Sequence, residues 1–254
     1  MDRAMTLGDW TGFEARRKES AKRGLLRGIG LSNTIEQAAD PTYETAEIRF
    51  DPLGGMTFVT GSISHGQGHA TIQTQILVDR LGVDPDAIKF VQGDTEAVAF
   101  GMGTGGSRST TMSGGAIVMV ADKVIAKGKK LAAHMLEAAE GDMEFKDGRF
   151  SIAGTDRGVG IHDVAKTAFK VDKLPPGMEP GLYETATYRA TSGNFPNGAH
   201  VCEVEIDPET GVTNVVRYSV VDDVGTVINP LLVKGQIMGG IAQGLGQVLM
   251  EDKA

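Results

Sequence analysis

Three stretches of this chain carry residue types whose spacing could do chemistry. In Ser62-Ile-Ser-His-Gly-Gln-Gly-His69 two histidines stand four positions apart, which on a helix would aim both imidazoles at one zinc ion. Glycines at 66 and 68 disfavour a helix across them and no glutamate sits beside the first histidine, so zinc is set aside. The stretch reads instead as a loop lining a ligand, with the Gln67 amide as donor and acceptor toward a polar cofactor. In Gly101-Met-Gly-Thr-Gly-Gly-Ser-Arg-Ser-Thr-Thr111 four glycines allow tight turns and leave main-chain N–H groups uncovered. Ser107, Arg108, Ser109 and Thr110 stand just ahead of the longest helical pattern, where hydroxyls cap a helix and an anion meets its positive end. That is the chemistry of a phosphate cradle. The third stretch, Val221-Asp-Asp-Val-Gly-Thr-Val-Ile-Asn-Pro230, offers Asp222 and Asp223 as paired carboxylates. After a valine-rich strand and ahead of Gly225 and Asn229, they suit turn and cap hydrogen bonding better than catalysis.

The cradle does not match the familiar nucleotide and hydrolase motifs. A nucleotide phosphate loop needs Lys then Ser or Thr after its last glycine, whereas Ser107-Arg108 follows here, which disfavours an ATP or GTP enzyme. Gly-x-Ser-x-Gly is not met around Ser107, and no His–Asp partner can be assigned for a serine hydrolase. The glycines also have the wrong spacing for a Rossmann fingerprint. Two readings stay open on these residues alone: an anion-binding turn of unidentified ligand, or a structural glycine-rich loop.

Holding these stretches requires strands that run into loops and helices that start after them. Ala46, Ile48 and Phe50 alternate with Glu47, Arg49 and Asp51, which predicts a half-buried strand, and residues 56–61 return as its hairpin partner. After His69, Ile72, Ile76, Leu77 and Leu81 recur at helical spacing, Gly82 suits the helix end, and 88–91 reads as a short strand. Behind the second loop Ile117, Val120, Val124, Leu131 and Met135 form an apolar stripe, and Lys123, Lys127, Lys129 and Lys130 read as a solubilising face. A hairpin over 144–152 turns at Asp147-Gly148, and a short helix covers 161–169. Strands follow at 184–189, at 199–206 and at 212–221, the last so rich in valine that it is predicted to lie centrally in its sheet. In the middle one Cys202, Val204 and Ile206 face one way, Glu203 and Glu205 the other. The final helix, marked by Ile237, Ile241, Leu245, Val248 and Leu249, contains Gly239, Gly240, Gly244 and Gly246. Each glycine there costs about 1 kcal/mol against alanine, so close approach of a backbone or ligand is the natural reason for them. At the other end, Arg16, Arg17, Lys18, Lys22 and Arg23 read as the solvated face of a short helix.

The pattern predicts an α+β fold, mixed sheets with packed helices, in two subdomains. The expected division is a polar segment 1–24, a first subdomain 25–172 that brings two glycine-rich loops toward one ligand, and a second subdomain 173–254. A formal charge of −8 speaks against general nucleic-acid binding, so any phosphate site must be local and built mostly from backbone. One cysteine, Cys202, rules out an intrachain disulfide framework and any cysteine-ligated cluster held by this chain alone. No apolar run is long enough to span a membrane. The expected compartment is the cytoplasm, with the periplasm left open.

Taken in order, His65-Gly-Gln-Gly-His69, Gly103-Thr-Gly-Gly-Ser-Arg-Ser-Thr110, the 221–230 stretch and Gly235-Gln-Ile-Met-Gly-Gly-Ile-Ala-Gln-Gly-Leu-Gly246 resemble the molybdenum-binding large subunit of the xanthine dehydrogenase and aldehyde oxidase family, on its carbon monoxide dehydrogenase-like branch. The likeness runs from about residue 27 to the end. It implies an oxidoreductase that inserts water-derived oxygen into a C–H bond at a molybdenum centre held by a pterin dithiolene, in bacteria as molybdopterin cytosine dinucleotide. It also implies where the cofactor is held. Gly66, Gln67, Gly68 and His69 would meet its phosphate and pterin parts, Thr104, Gly105, Gly106, Ser107, Arg108, Ser109 and Thr110 its diphosphate or nucleotide end, and Gln236 the pterin or the molybdenum ligands. No residue of this chain is assigned as catalytic or as a protein ligand of the metal, because the pterin supplies both sulfurs.

Expected partners are the remainder of the large subunit, an iron–sulfur subunit and an FAD subunit, with a homo-oligomer also open. The family's large subunit is much longer, and its general-base glutamate lies past the Gly235 to Gly246 segment in a context that Glu251 does not match. The expectation is therefore a cofactor-binding fragment, inactive as an isolated chain. The alternative is a non-catalytic binding or assembly module that keeps the fold without the cofactor. The substrate is not legible in these residues.

Overall fold

The computed structural model describes residues 1–39 and 42–251. In chain order the elements begin with α1 (Asp2–Leu7), α2 (Phe13–Lys22), β1 (Leu26–Ile35), β2 (Tyr43–Phe50), β3 (Met56–Thr60), α3 (His69–Leu81) and β4 (Ile88–Gln92). They continue with α4 (Ser109–Leu136), β5 (Met143–Lys146), β6 (Arg149–Ile152), β7 (Gly158–Gly160) and α5 (Ile161–Thr167). The last are β8 (Tyr183–Arg189), β9 (Asn197–Ile206), β10 (Thr213–Asp223) and α6 (Pro230–Leu249). Helices and mixed sheets thus share the chain, as the α+β reading requires. The chain divides into two compact units, one made of Met1–Ala38 with Asn194–Ala254 and the other of Ala39–Gly193. These boundaries differ from the expected breaks after 24 and 172, because β1 pairs along its whole length with the distant β9 and ties the two chain ends into one unit.

In the Ala39–Gly193 unit a four-stranded sheet has the order β4-β3-β2-β8. The β2–β3 hairpin is antiparallel, whereas β3 and β4 run parallel with α3 as their crossover. Ala46, Ile48 and Phe50 bury the predicted face of β2 against Phe58, Leu77, Leu81, Ile117, Val120, Val124 and Leu131. Glycines inside α4 have a packing reason where they meet large rings. A Cβ on Gly115 would sit 2.6 Å from the Tyr188 ring, and one on Gly128 2.4 Å from Phe150. The small sheet β5-β6-β7 turns at Asp147 and Gly148, whose φ values of 47° and 74° make the expected mirror-image hairpin turn. Two of the four α4 lysines do more than solubilise: Lys123 Nζ donates to the Thr185 carbonyl at 2.8 Å, and Lys127 lies 5.0 Å from the centre of the Tyr183 ring.

In the other unit the sheet order is β1-β9-β10, which makes β9 central and β10 an edge among the described residues. The valines of β10 therefore report strand propensity and not a central place; Val216, at the bulge between Val215 and Arg217, is 41% exposed. The alternation predicted for β9 is present, but its charged side is the buried one. Glu203 is fully buried and Glu205 nearly so, alongside Ala199 and Val201. Arg16 of α2 and Arg27 of β1 hydrogen-bond the Glu203 carboxylate at 2.9 and 2.6 Å, and Ser20, Arg23 and Arg27 hold Glu205. Arg16 and Arg23 therefore dock α2 onto the sheet, while Arg17 and Lys22 pair only with exposed glutamates of their own helix. Asn229 caps α6 by accepting from Leu232 N at 3.0 Å, yet no residue of α6 is buried.

Candidate functional site

The parallel pairing of β3 and β4 positions the first two motif stretches. Thr60 stands opposite Gln92 at the carboxyl ends of the two strands, so the loops that leave them start side by side. Ligands of α/β units gather at this end because both following helices point their amino termini toward it. Gly68 is the residue before α3 and Arg108 the residue before α4, and neither helix has its first N–H groups capped by a side chain. A 28-residue helix whose start carries no side-chain cap presents a concentrated positive end.

The loops are stapled to each other. Thr104 Oγ1 accepts from Ile63 N at 3.1 Å and donates to Ile63 O at 2.7 Å; Ser64 N donates to Gln92 Oε1 at 3.1 Å. Beneath them Ser62 and Ser113 share a fully buried hydroxyl contact of 2.7 Å. Thr104 and the buried Ser109, whose Oγ lies 3.4 Å from Thr104 Oγ1, thus hold the loops together. Gly105, Gly106, Ser107 and Thr110 face outward.

Arg108 is buried and engaged inside the protein. Its Nη1 donates to Glu44 Oε2 at 2.9 Å and to the Gly103 carbonyl, Nη2 donates to the Tyr43 carbonyl, and Nε to Thr42 Oγ1 at 3.2 Å. Four donor contacts to protein leave this side chain as a brace behind the turn, while Gly105, Gly106 and Ser107 of the turn are exposed.

In the first loop Gln67 Oε1 accepts from His65 N, which turns the side-chain amide back over the loop. Gly66 and Gly68 take φ values of 105° and 77°, which explains glycine there by conformation. His69 opens α3 and is buried; burial, with help from the nearby His65, pushes its imidazole below the ordinary value against a hydrogen bond to the Ile63 backbone. It is therefore neutral near pH 7. His69 Nδ1 and both amide atoms of the buried Gln73, one turn along α3, find no partner among the described residues, a polar floor under the loop.

The glycines give a test of whether a ligand belongs here. Gly105 has neither a positive φ nor any atom within 4 Å of an added Cβ, so nothing in this chain's own packing requires glycine at that position. Gly235, Gly239, Gly240 and Gly244, around the exposed Gln236 on α6, are likewise open. Packing among the described residues thus gives no reason for glycine at any of these positions. Asp222 and Asp223 lie at the end of β10, where Asp222 Oδ1 is 3.2 Å from His200 Nε2 and Asp223 Oδ1 accepts from Gly225 N at 3.0 Å.

One residue of this arrangement escapes motif reading. Glu44 shares the parity of Ala46, Ile48 and Phe50 on β2, and a glutamate on an apolar face is the signal that could have found it.

A family model described as the molybdopterin cofactor-binding domain matches residues 3–254. The chain belongs to that family. Among curated relatives it is 38% identical over 247 residues to the carbon monoxide dehydrogenase large chain of Hydrogenophaga pseudoflava, covering 92% of this chain and 30% of the relative. It is 36% identical over 260 residues to the nicotine 6-hydroxylase large subunit of Paenarthrobacter nicotinovorans, covering 97% and 32%. Among solved structures, Cu,Mo-CO dehydrogenase superposes with a TM-score of 0.86 at 35% identity over 96% of this chain and 33% of that one. Quinoline 2-oxidoreductase from Pseudomonas putida 86 gives 0.87 at 35%, over 97% and 33%. The chain thus spans about a third of the length of the relatives it matches. Among the described residues no helix is long and apolar enough to cross a membrane.

Proposed function

We propose that this chain holds the molybdenum-bearing pterin of a molybdenum hydroxylase large subunit, in its cytosine dinucleotide form. The observation that carries the reading is the pair of glycine-rich loops, stapled through Thr104 and Ile63, that lead into two helix amino termini without side-chain caps. The exposed residues Gly105, Gly106, Ser107 and Thr110 would receive the diphosphate on their backbone N–H groups, with Thr104, Arg108 and Ser109 behind them. Gly66, Gln67, Gly68 and His69 would receive the phosphate and pterin side. Gln236 keeps the role implied by the family likeness, an amide toward the pterin or the molybdenum ligands, supported by the open glycines of its own helix. When bound, the cofactor supplies the redox metal that accepts electrons from a substrate C–H bond; this chain's residues bind it and orient it.

The hydroxylase activity belongs to an assembly. A single cysteine cannot ligate an iron–sulfur cluster, so the electrons leave through protein outside these residues, by resemblance iron–sulfur and FAD subunits or domains. Alone the chain binds cofactor without turning over. The test is to express it in cells that make molybdopterin cytosine dinucleotide, purify it, and measure molybdenum and the pterin fluorophore released on denaturation. About one of each per chain supports the reading. A well-folded protein with neither would overturn it and favour a non-catalytic assembly module. Oxidation of aldehydes or carbon monoxide by the chain alone would refute the inactivity.

A further inference from the structure

The residue that shapes the second loop lies outside every motif. Glu44 is completely buried near the start of β2, and parts of both loops close over its carboxylate. An added Cβ on Gly101 would stand 2.2 Å from Glu44 Oε1, and one on Gly61 2.9 Å from it. Glycine at these positions is what lets the chain pass that close. Oε2 accepts from Gly103 N at 3.1 Å and from Arg108 Nη1 at 2.9 Å, while Oε1 accepts from Thr45 N at 3.1 Å. Arg108 returns to the Gly103 carbonyl, so the ion pair grips both the N–H and the C=O of Gly103. Arg108 is also the residue before α4, and its carbonyl accepts the helix bond from Met112 N at 2.8 Å. The pair therefore defines both ends of the turn that carries Gly105 and Gly106.

We infer that Glu44 is the positioning residue of this turn: through Arg108 and Gly103 it holds the backbone N–H groups of residues 105–110 in the geometry that receives the cofactor's diphosphate. The inference rests on the cofactor-binding reading above. Replacing a buried ion pair by well-packed apolar side chains is often neutral for stability, so on this inference the Glu44–Arg108 pair serves to select one geometry of the turn. Losing this pair should then free the turn even where the fold is kept.

Two variants of the full chain separate these effects. Glu44→Gln removes the charge at nearly constant shape, and Glu44→Met with Arg108→Met replaces the pair by apolar side chains. In the cofactor-free chain, hydrogen exchange of the Gly103 and Arg108 amides, which donate to Glu44 Oε2 and to the Gly105 carbonyl, should speed at least tenfold in Glu44→Gln, with the middle of α4 unchanged. After loading with molybdopterin cytosine dinucleotide, the pterin should leave both variants at least tenfold faster, although the double variant regains the wild-type thermal midpoint. A double variant that retains pterin as the wild type does, or a Glu44→Gln chain with wild-type exchange at Gly103 and Arg108, would overturn the positioning role. If the wild type itself takes up no pterin, the binding reading fails, and the exchange measurement still decides whether Glu44 sets the turn.

Discussion

Replacing Glu203 by glutamine tests how the unit built on β1, β9 and β10 is held together. The fully buried carboxylate receives Arg16 Nε at 2.9 Å, Arg16 Nη2 at 3.0 Å and Arg27 Nε at 2.6 Å. A glutamine of the same shape keeps one acceptor oxygen and turns an NH2 toward the guanidinium groups, whose side chains are only 18% and 13% exposed. Breaking one side of a buried pair costs about 3–5 kcal/mol, because the remaining charge loses its partner without regaining water. With a urea slope of about 1–3 kcal/mol per M, the midpoint should fall by on the order of 1–5 M. The single tryptophan, Trp10, packs beside Ala4, Ala199 and Val201, so its fluorescence reports on this unit. Burial alone would push the Glu203 carboxyl up; the hydrogen bonds and charges of Arg16 and Arg27 outweigh it and hold the group below the ordinary glutamate value. Its contribution is thus fully present above the unfolded value of about 4.3 and is lost as pH falls through the lower folded value. The gap between wild type and Glu203→Gln should be widest near neutrality and close in acid. A loss under about 1 kcal/mol at pH 7, the range of exposed ion pairs, would show that the network is not a working dock for α2.

Further outcomes follow from the structure. Gly114→Ala, whose added Cβ would meet Ile76 at 3.6 Å, should stabilise the chain by up to the roughly 1 kcal/mol of helix propensity and raise its thermal midpoint. Its neighbour Gly115→Ala should destabilise it by about 1–3 kcal/mol through the clash with Tyr188 and lower the midpoint, and calorimetry on the pair reads the contrast directly. Gly105→Ala should leave urea stability within about 0.5 kcal/mol, since nothing lies within 4 Å, yet shorten pterin retention several-fold, and unchanged retention would remove Gly105 from the cradle. Below the ordinary carboxylate range Glu205 should also release its hold, because Ser20, Arg23 and Arg27 keep it lowered; acid should then loosen α2 as followed by Trp10 emission.

Local periodicity was a good guide to individual elements. The alternation at Ala46, Ile48 and Phe50, the helical stripe from Ile117 to Leu131 and the turn at Asp147 and Gly148 are each encoded within a few residues, because side-chain direction follows the backbone repeat. The same holds for the glycine-rich loops and the family they mark, since a loop that must expose its backbone needs glycine wherever it occurs. What sits beside what was another matter. The pairing of β1 with β9, which makes one unit discontinuous, and the edge position of β10 depend on contacts between residues far apart in the chain. So does the burial of Glu203, which reads as a solvent-facing charge until Arg16 and Arg27 arrive from elsewhere. Arg108 shows the division most clearly. By itself the sequence determined a cation at the start of the longest helix, next to a glycine-rich turn; only the tertiary structure set Glu44 against it, and a buried guanidinium takes the carboxylate within reach because leaving that charge unpaired in the interior would cost about 3–5 kcal/mol.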